Sequence, residues 1–313
     1  MEHLRDLQAW GPTRGYYPDP NKSILVVAPG NVSQAEEHFQ GLGIRVVTGH
    51  RYLGGYIGDK EAEGRWLAEN IKEWTESVEI LAGVSPKHPQ SAYAVLQKSL
   101  QQKWVFVQQV TPGVGDAFGL VETALKETFV PALFEGLDKG MPERGVTRLP
   151  VKHAGLALPD PYQTAPENWT ASCVITGHLV VALRGQVEFR TADQSACLQE
   201  GRTAVRRRGQ RRAEEALTAA LEGDPVLHAR RLQRATKTGA WMTVQPSTVN
   251  GTDLGAQEWR DALFLRYDLE PPDLPTHCDG CQAKLSISHP LHCKNGGLVT
   301  ARHNDLRDWV ADL

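Results

Sequence analysis

Lys60-Glu-Ala-Glu-Gly-Arg-Trp-Leu-Ala-Glu-Asn-Ile-Lys-Glu-Trp-Thr-Glu-Ser-Val-Glu-Ile-Leu-Ala82 places Trp66, Leu67, Ile71, Trp74 and Val78 at helical spacing, with charged residues between them. An apolar residue every three or four positions makes a stripe along one side of an α-helix, and that stripe needs a partner surface. The pattern therefore predicts a buried, aromatic-rich helical core rather than a sheet. Residues 91–110 repeat it, with Trp104 and Phe106 in the second half. So do residues 116–137, where Pro131 is expected to bend the helix because proline lacks the N–H and clashes with the preceding turn. Residues 138–162 are rich in Pro and Gly and read as a boundary loop. Beyond them, 168–183 is apolar on one face, and 199–221 is a helix loaded with arginine.

The region before Lys60 reads differently. Residues 1–10 form an amphipathic helix ended by Gly11-Pro12. Residues 23–28 are a continuous apolar run, read as a buried strand. A helix over 33–42 is expected to open with a Ser33–Glu36 capping box. Residues 45–48 and 51–57 read as strands around a turn at Gly49-His50. These pieces look like the edge of a sheet, so the fold class expected is mainly α with a small α/β N-terminal part.

The chain has 313 residues, 41% hydrophobic and 23% charged, with a formal net charge of −3. That is ordinary soluble-protein composition, and only local charge can argue for a nucleic-acid partner. The longest apolar stretch, 174–183, is interrupted by Thr176, Gly177 and His178, well short of the roughly 20 residues a membrane span requires. A polar N-terminus and few cysteines point to a reducing compartment, nuclear or cytoplasmic rather than secreted. The sequons at Asn21, Asn31, Asn168 and Asn250 then carry no meaning.

Three of the five cysteines lie within sixteen residues, in the pattern Cys278-x2-Cys281-x7-His289-x3-Cys293. Two cysteines separated by two residues can grip one side of a zinc ion from a tight turn, and a later His and Cys can close the tetrahedron. Asp279-Gly280 is expected to make that turn through the positive φ that glycine tolerates. His277 and His292 compete with His289 for the third position. Four protein ligands without a nearby carboxylate base suit a closed structural Zn2+ site rather than a catalytic one.

The dense basic segments are Arg202, Arg206, Arg207, Arg208, Arg211 and Arg212, then Arg230, Arg231, Arg234 and Lys237. Such a helix either tracks phosphates or is a solvated face balanced by Glu214, Glu215 and Glu222. Pro112-Gly-Val-Gly-Asp-Ala-Phe-Gly119 is not a nucleotide loop: it lacks the G-x-G-x-x-G spacing and the P-loop lysine, and it reads as a turn with Asp116 as an N-cap. His153 and His178 stand singly, without a partner signature. No G-x-S-x-G or H-E-x-x-H occurs. His303 and Asp308 lack the acidic residues and lysine of a nuclease centre.

Several segments, in order, resemble the C-terminal part of a non-long-terminal-repeat retrotransposon reverse transcriptase. Tyr16-Tyr-Pro-Asp-Pro-Asn-Lys-Ser23 resembles the segment after the polymerase's metal-binding Tyr-x-Asp-Asp strand, with Lys22 at the position near the incoming nucleotide. Arg51-Tyr-Leu-Gly-Gly55 resembles the primer-grip hairpin. Arg148-Leu-Pro-x4-Gly-Leu-Ala-Leu158 resembles a Leu-Pro…Gly-Gly-Leu-Gly-Leu stretch in which Ala154 and Ala157 replace glycines. Trp241-Met-Thr-Val-Gln-Pro246 and Glu258-Trp-Arg-Asp-Ala-Leu263 continue it, followed by the cysteine set and Gly296-Gly-Leu-Val-Thr-Ala-Arg-His-Asn-Asp-Leu-Arg-Asp308, which resembles the start of an endonuclease domain.

The resemblance implies a palm remnant over 1–58, a helical thumb-like bundle over 59–140, a helical basic linker over 141–270, and a zinc knuckle with a truncated endonuclease-like segment over 271–313. It implies RNA or DNA duplex binding through Lys22, Arg206, Arg207, Arg208, Arg211, Arg212, Arg231 and Arg234. No Tyr-x-Asp-Asp is present. Polymerase carboxylates hold two metal ions about 4 Å apart, so Mg2+ belongs to the parent polymerase only. The expectation is a truncated reading frame, inactive alone, whose missing upstream polymerase segment is a partner. The alternative is a non-enzymatic, zinc-stabilised protein-interaction module.

Overall fold

The computed structural model describes residues 2–17, 19, 22–135, 137, 140–221, 230, 232–236, 238–295 and 298–311. It is mainly helical, with two small two-stranded sheets near the N-terminus. After α1 (Glu2–Trp10), β1 (Ile24–Val26) pairs in parallel with β2 (Arg45–Val47) across α2 (Val32–His38). β1 is half-buried rather than buried, and it spans three residues. α2 begins after Asn31 with no side-chain cap, because a 3-10 turn led by Pro29 starts the helix early and leaves Ser33 inside it; the Ser33–Glu36 box does not form.

β3 (Gly49–Tyr52) and β4 (Gly55–Gly58) form an antiparallel hairpin. Its turn is at Leu53-Gly54, not Gly49-His50, and both turn residues have positive φ (47° and 83°). Such a two-residue turn matches the twist of its strands. Gly54 is held close to the segment carrying Phe106: an added Cβ would lie 3.0 Å from that ring.

The core begins with α3 (Lys60–Val84), which buries Leu67, Ile71, Trp74, Val78 and Ala82. The Asp59 carboxylate accepts the Ala62 N–H at 2.8 Å, and Glu61 and Glu63 complement the positive end of the helix. α4 (Pro89–Val95) and α5 (Gln101–Val110) are joined by a π-helical turn, Leu96–Leu100; α6 (Gly119–Ala124) and α7 (Val130–Leu133) by another, Leu125–Phe129. Pro131 sits at the start of α7, where its missing N–H costs little. Asp116 lies within a 3-10 turn, Gly115–Phe118, and caps nothing. Trp74 stacks on Phe118 at 6.1 Å and meets Trp104 at 6.4 Å.

α8 (Arg144–Thr147) is followed by a long helical hairpin of α9 (Pro161–Leu183) and α10 (Thr191–Leu221). α9 starts seven residues before 168, because Asp160 accepts the Tyr162 and Gln163 N–H groups (2.9 and 3.3 Å) and Pro161 follows it. The hairpin packs tightly at Gly201, where a Cβ would come 2.4 Å from Ile175. His178 closes the connection between the two helices, its Nε2 accepting the Arg190 N–H at 2.9 Å.

α11 (Ala256–Tyr267) sends Trp259, Leu263, Phe264 and Tyr267 into the α3–α7 core, where Trp259 meets Tyr93 and Phe134 meets Phe264 and Tyr267. One hydrophobic cluster runs from Leu67 to Leu269. α12 (Leu298–Ala311) follows the cysteine-rich segment.

The loop between α8 and α9 is strained and heavily tied. Ala154 and Ala157 have φ of 70° and 51°, a conformation that costs an L-residue about 1–2 kcal/mol. Four side chains hold the loop's carbonyls: Tyr93 Oη donates to Leu156 (2.7 Å), Tyr267 Oη to Ala154 (2.7 Å), Arg266 to Val151 (2.8 Å) and Gly155 (3.2 Å), and Arg144 to Leu158 (2.7 Å). Ala157→Gly is expected to stabilise the protein by about 1 kcal/mol, the reverse of the usual Ala→Gly effect, as read by denaturant titration.

Candidate metal centre and the arginine-rich helix

Cys278, Cys281, His289 and Cys293 converge, and one ligand atom from each lies within 4.8 Å of all the others. The first two sit on a small hairpin. Cys278 N–H donates to the Ala283 carbonyl (2.9 Å), Gln282 N–H to the Cys278 carbonyl (2.8 Å) and Leu285 N–H to the Thr276 carbonyl (2.9 Å). The left-handed residue of this turn is Gln282 (φ 60°), one position after the second cysteine, not Gly280. His289 and Cys293 come from the next segment, where Pro290 opens a 3-10 turn, His289–Leu291, and the Cys293 N–H donates to the His289 carbonyl at 2.9 Å. That one-turn spacing brings both side chains to the same side.

Cys278 Sγ is 3.7 Å from Cys293 Sγ, and Cys281 Sγ is 3.2 Å from His289 Nε2. Cys293 is buried; the other three are half-buried. His277 pairs instead with the Thr276 hydroxyl (3.0 Å), and His292 is exposed outside the cluster, so His289 is the histidine of the set.

The electrostatics favour a cation. N–H groups of Cys281 and then Gly280 bond the Cys278 sulfur and, with His289 and Cys293, bring its thiol down to about 6. For Cys281 the Ala283 N–H acts in the same direction, but desolvation and the neighbouring Cys293 and Cys278 sulfurs outweigh it and raise the thiol. One sulfur is readied as a thiolate while its neighbour resists ionising beside it, and a bound metal ion removes that conflict. The four side chains could hold a metal ion.

The arginines of α10 divide by surroundings. Arg206 and Arg207 are exposed, with no carboxylate partner among the described residues. Arg208 is half-buried, its Nε 3.4 Å from the Ala204 carbonyl. Arg211 pairs with Glu215 at 3.3 Å on the surface, and Arg212 with Glu167 of α9. Arg230 and Arg234 both pair with Asp268, a buried carboxylate in left-handed conformation at the end of α11. Arg234 therefore docks its segment onto the core instead of presenting a free charge. Lys22 is exposed, 3.5 Å from Asp19. Arg231, Lys237 and Glu222 lie outside the described residues.

Sequence reasoning missed the buried polar residues of α11. Arg260 pairs with Glu135 (2.7 Å) and donates to the Ser85 and Pro86 carbonyls, while Arg266 and Tyr267 anchor the strained loop. Their positions beside Trp259, Leu263 and Phe264 on one short helix were the available signal. Glu122 and Arg144 form another inward pair at 2.7 Å; desolvation raises the Glu122 carboxyl even though the Arg144 bond opposes it.

No protein-family model, curated protein or solved structure matches this chain.

Proposed function

We propose that this chain is a nucleic-acid-binding segment of the non-long-terminal-repeat reverse-transcriptase kind, holding an RNA–DNA duplex by its phosphates and clipped near its C-terminus by a structural zinc. The observation that carries the duplex reading is the pair of exposed guanidiniums at Arg206 and Arg207, with no carboxylate partner among the described residues, on a 31-residue helix. Cations without a protein partner are free to displace phosphate counterions, a contact that is electrostatic and largely independent of sequence.

The sulfur spacing supports zinc. At Zn–S bonds of about 2.3 Å, tetrahedral sulfurs lie about 3.8 Å apart, and Cys278 and Cys293 are 3.7 Å apart. All four positions are filled by protein, which leaves none for a reacting water.

A second reading, a protein-interaction module, draws on the exposed apolar tip of the α9–α10 hairpin: Leu179, Val180, Leu183, Val187 and Phe189. Reversing charge separates the two. Arg206→Glu with Arg207→Glu is expected to weaken RNA–DNA duplex binding by about tenfold or more in a fluorescence-anisotropy titration at low salt. An unchanged affinity would remove the duplex reading and leave the interaction module.

A further inference from the structure

An open cavity of about 290 Å³ lies between the 148–159 loop, the start of α9 and the middle of α10. Its floor is apolar, made by Leu149, Pro150, Ala157 and Pro159. Gln101 and Gln163 set amide groups at its edge; the Asp160 carboxylate, engaged in capping α9, and Arg212, paired with Glu167, complete the lining. Arg148 stands at the rim, half-buried, bonded to Gln163 (2.9 Å) and near enough to Glu122 to favour its charged form, with no carboxylate at ion-pair distance among the described residues. The floor is built in advance, because Tyr93, Arg144, Arg266 and Tyr267 fix the loop that forms it.

We propose that this pocket takes a single unpaired nucleotide at a strand end, its base on the proline-lined floor and its phosphate on Arg148. The inference rests on the nucleic-acid reading above and adds a specific ligand to it. The size selects one base, since pockets for small ligands run from about 300 Å³ upward and a base pair does not enter. An apolar floor with amide edges and a cation at the rim suits a flat, edge-polar ring carrying a phosphate. Position in the fold supplies the strand. Gly209 forms part of the cavity wall, and Arg206 and Arg202 precede it by three and seven residues, so they share its helix face. At 1.5 Å per residue they stand about 4.5 and 10.5 Å further along the axis, a cationic strip leading away from the pocket.

Gly209 also supplies the test, because a side chain added there meets nothing within 4 Å. Gly209→Phe would plug the cavity while leaving every arginine in place, and phenylalanine suits a helix better than glycine. Anisotropy titrations would compare a blunt RNA–DNA duplex with the same duplex carrying one unpaired 3′ nucleotide, on the full chain. The unaltered protein is expected to bind the overhang at least about fivefold more tightly, the lower end of what holding one base contributes. Gly209→Phe should erase that difference and keep the blunt affinity within about twofold, since phosphate contacts carry it. Arg148→Ala, at a half-buried position outside the hydrophobic core, should reduce the difference while the core stays intact.

Equal affinities for blunt and overhanging duplex, or an overhang preference that survives Gly209→Phe, would overturn the proposal while leaving duplex binding standing. Binding of neither duplex would overturn both readings. A nucleoside monophosphate that binds the unaltered protein but not Gly209→Phe, with no overhang preference, would make the site one for free nucleotides and overturn the strand-end assignment. Preference for a peptide over any nucleotide probe would do the same.

Discussion

Arg266→Met is expected to lower the unfolding free energy by about 3 kcal/mol, because buried carbonyls left without a donor cost about 1–3 kcal/mol each. The side chain is 4% exposed and donates to the Val151 and Gly155 carbonyls and to the Thr238 hydroxyl. Replacing a buried charge with an apolar residue can stabilise a protein when its partners are replaced as well. Here most partners are main-chain carbonyls, which no substitution removes. The loss falls, moreover, on a loop already holding Ala154 and Ala157 at positive φ. Urea denaturation measures it; a loss below about 1 kcal/mol would mean the loop is held by other contacts.

Alkali probes the same anchor without mutation. Burial, opposed by Arg266, pushes the Tyr267 phenol up from 10.0 to about 12. Tyr93 is raised as well, mainly by burial and then by Tyr267. A phenol whose folded pKa is raised contributes stability that is fully present below its unfolded value and is lost as pH climbs through the folded one. Stability should therefore fall between pH 10.0 and about 12, and Tyr267→Phe should flatten that fall.

Cys293→Ala is expected to abolish tight zinc binding, measured as metal retained after dialysis. Cys293 is the buried member of the set, closing the site opposite the Cys278–Cys281 hairpin. His277→Ala and His292→Ala should keep the metal, since both imidazoles stand outside the cluster. The loss should be local. Hydrogen exchange over 276–295 should speed up while the helical core unfolds as before, because the shared core runs from Leu67 to Leu269 and ends before the cysteines. Zinc retained by Cys293→Ala, or lost from His292→Ala, would show that the ligand set is wrong.

What could be read from the sequence follows from how local each signal is. The stripe through Leu67, Ile71, Trp74 and Val78 needs only the helical period, and it is buried as its spacing requires, with Trp66 partly buried against it. The cysteine spacing needs only a short turn and a later helical turn, and the four ligand atoms meet. Signals that depended on one backbone angle went astray. The hairpin turn moved from Gly49-His50 to Leu53-Gly54, and the left-handed residue of the metal hairpin is Gln282, because glycine permits positive φ without requiring it.

Long-range roles were the least visible. Arginine is rarely buried, so composition places Arg260 and Arg266 on the surface. Only the tertiary approach of α11 to the Ser85 and Val151 carbonyls brings them inside. For the same reason Arg230 and Arg234 read as a free basic patch until Asp268 is seen between them.

The proposed phosphate grip is tested by the salt dependence of binding. An RNA–DNA duplex titrated with the full chain between about 50 and 200 mM monovalent salt should lose at least about tenfold in affinity, along a straight log–log line. The slope should be shallower for Arg206→Glu with Arg207→Glu. An affinity that does not change with salt, or no binding even at the lowest salt, would contradict the account.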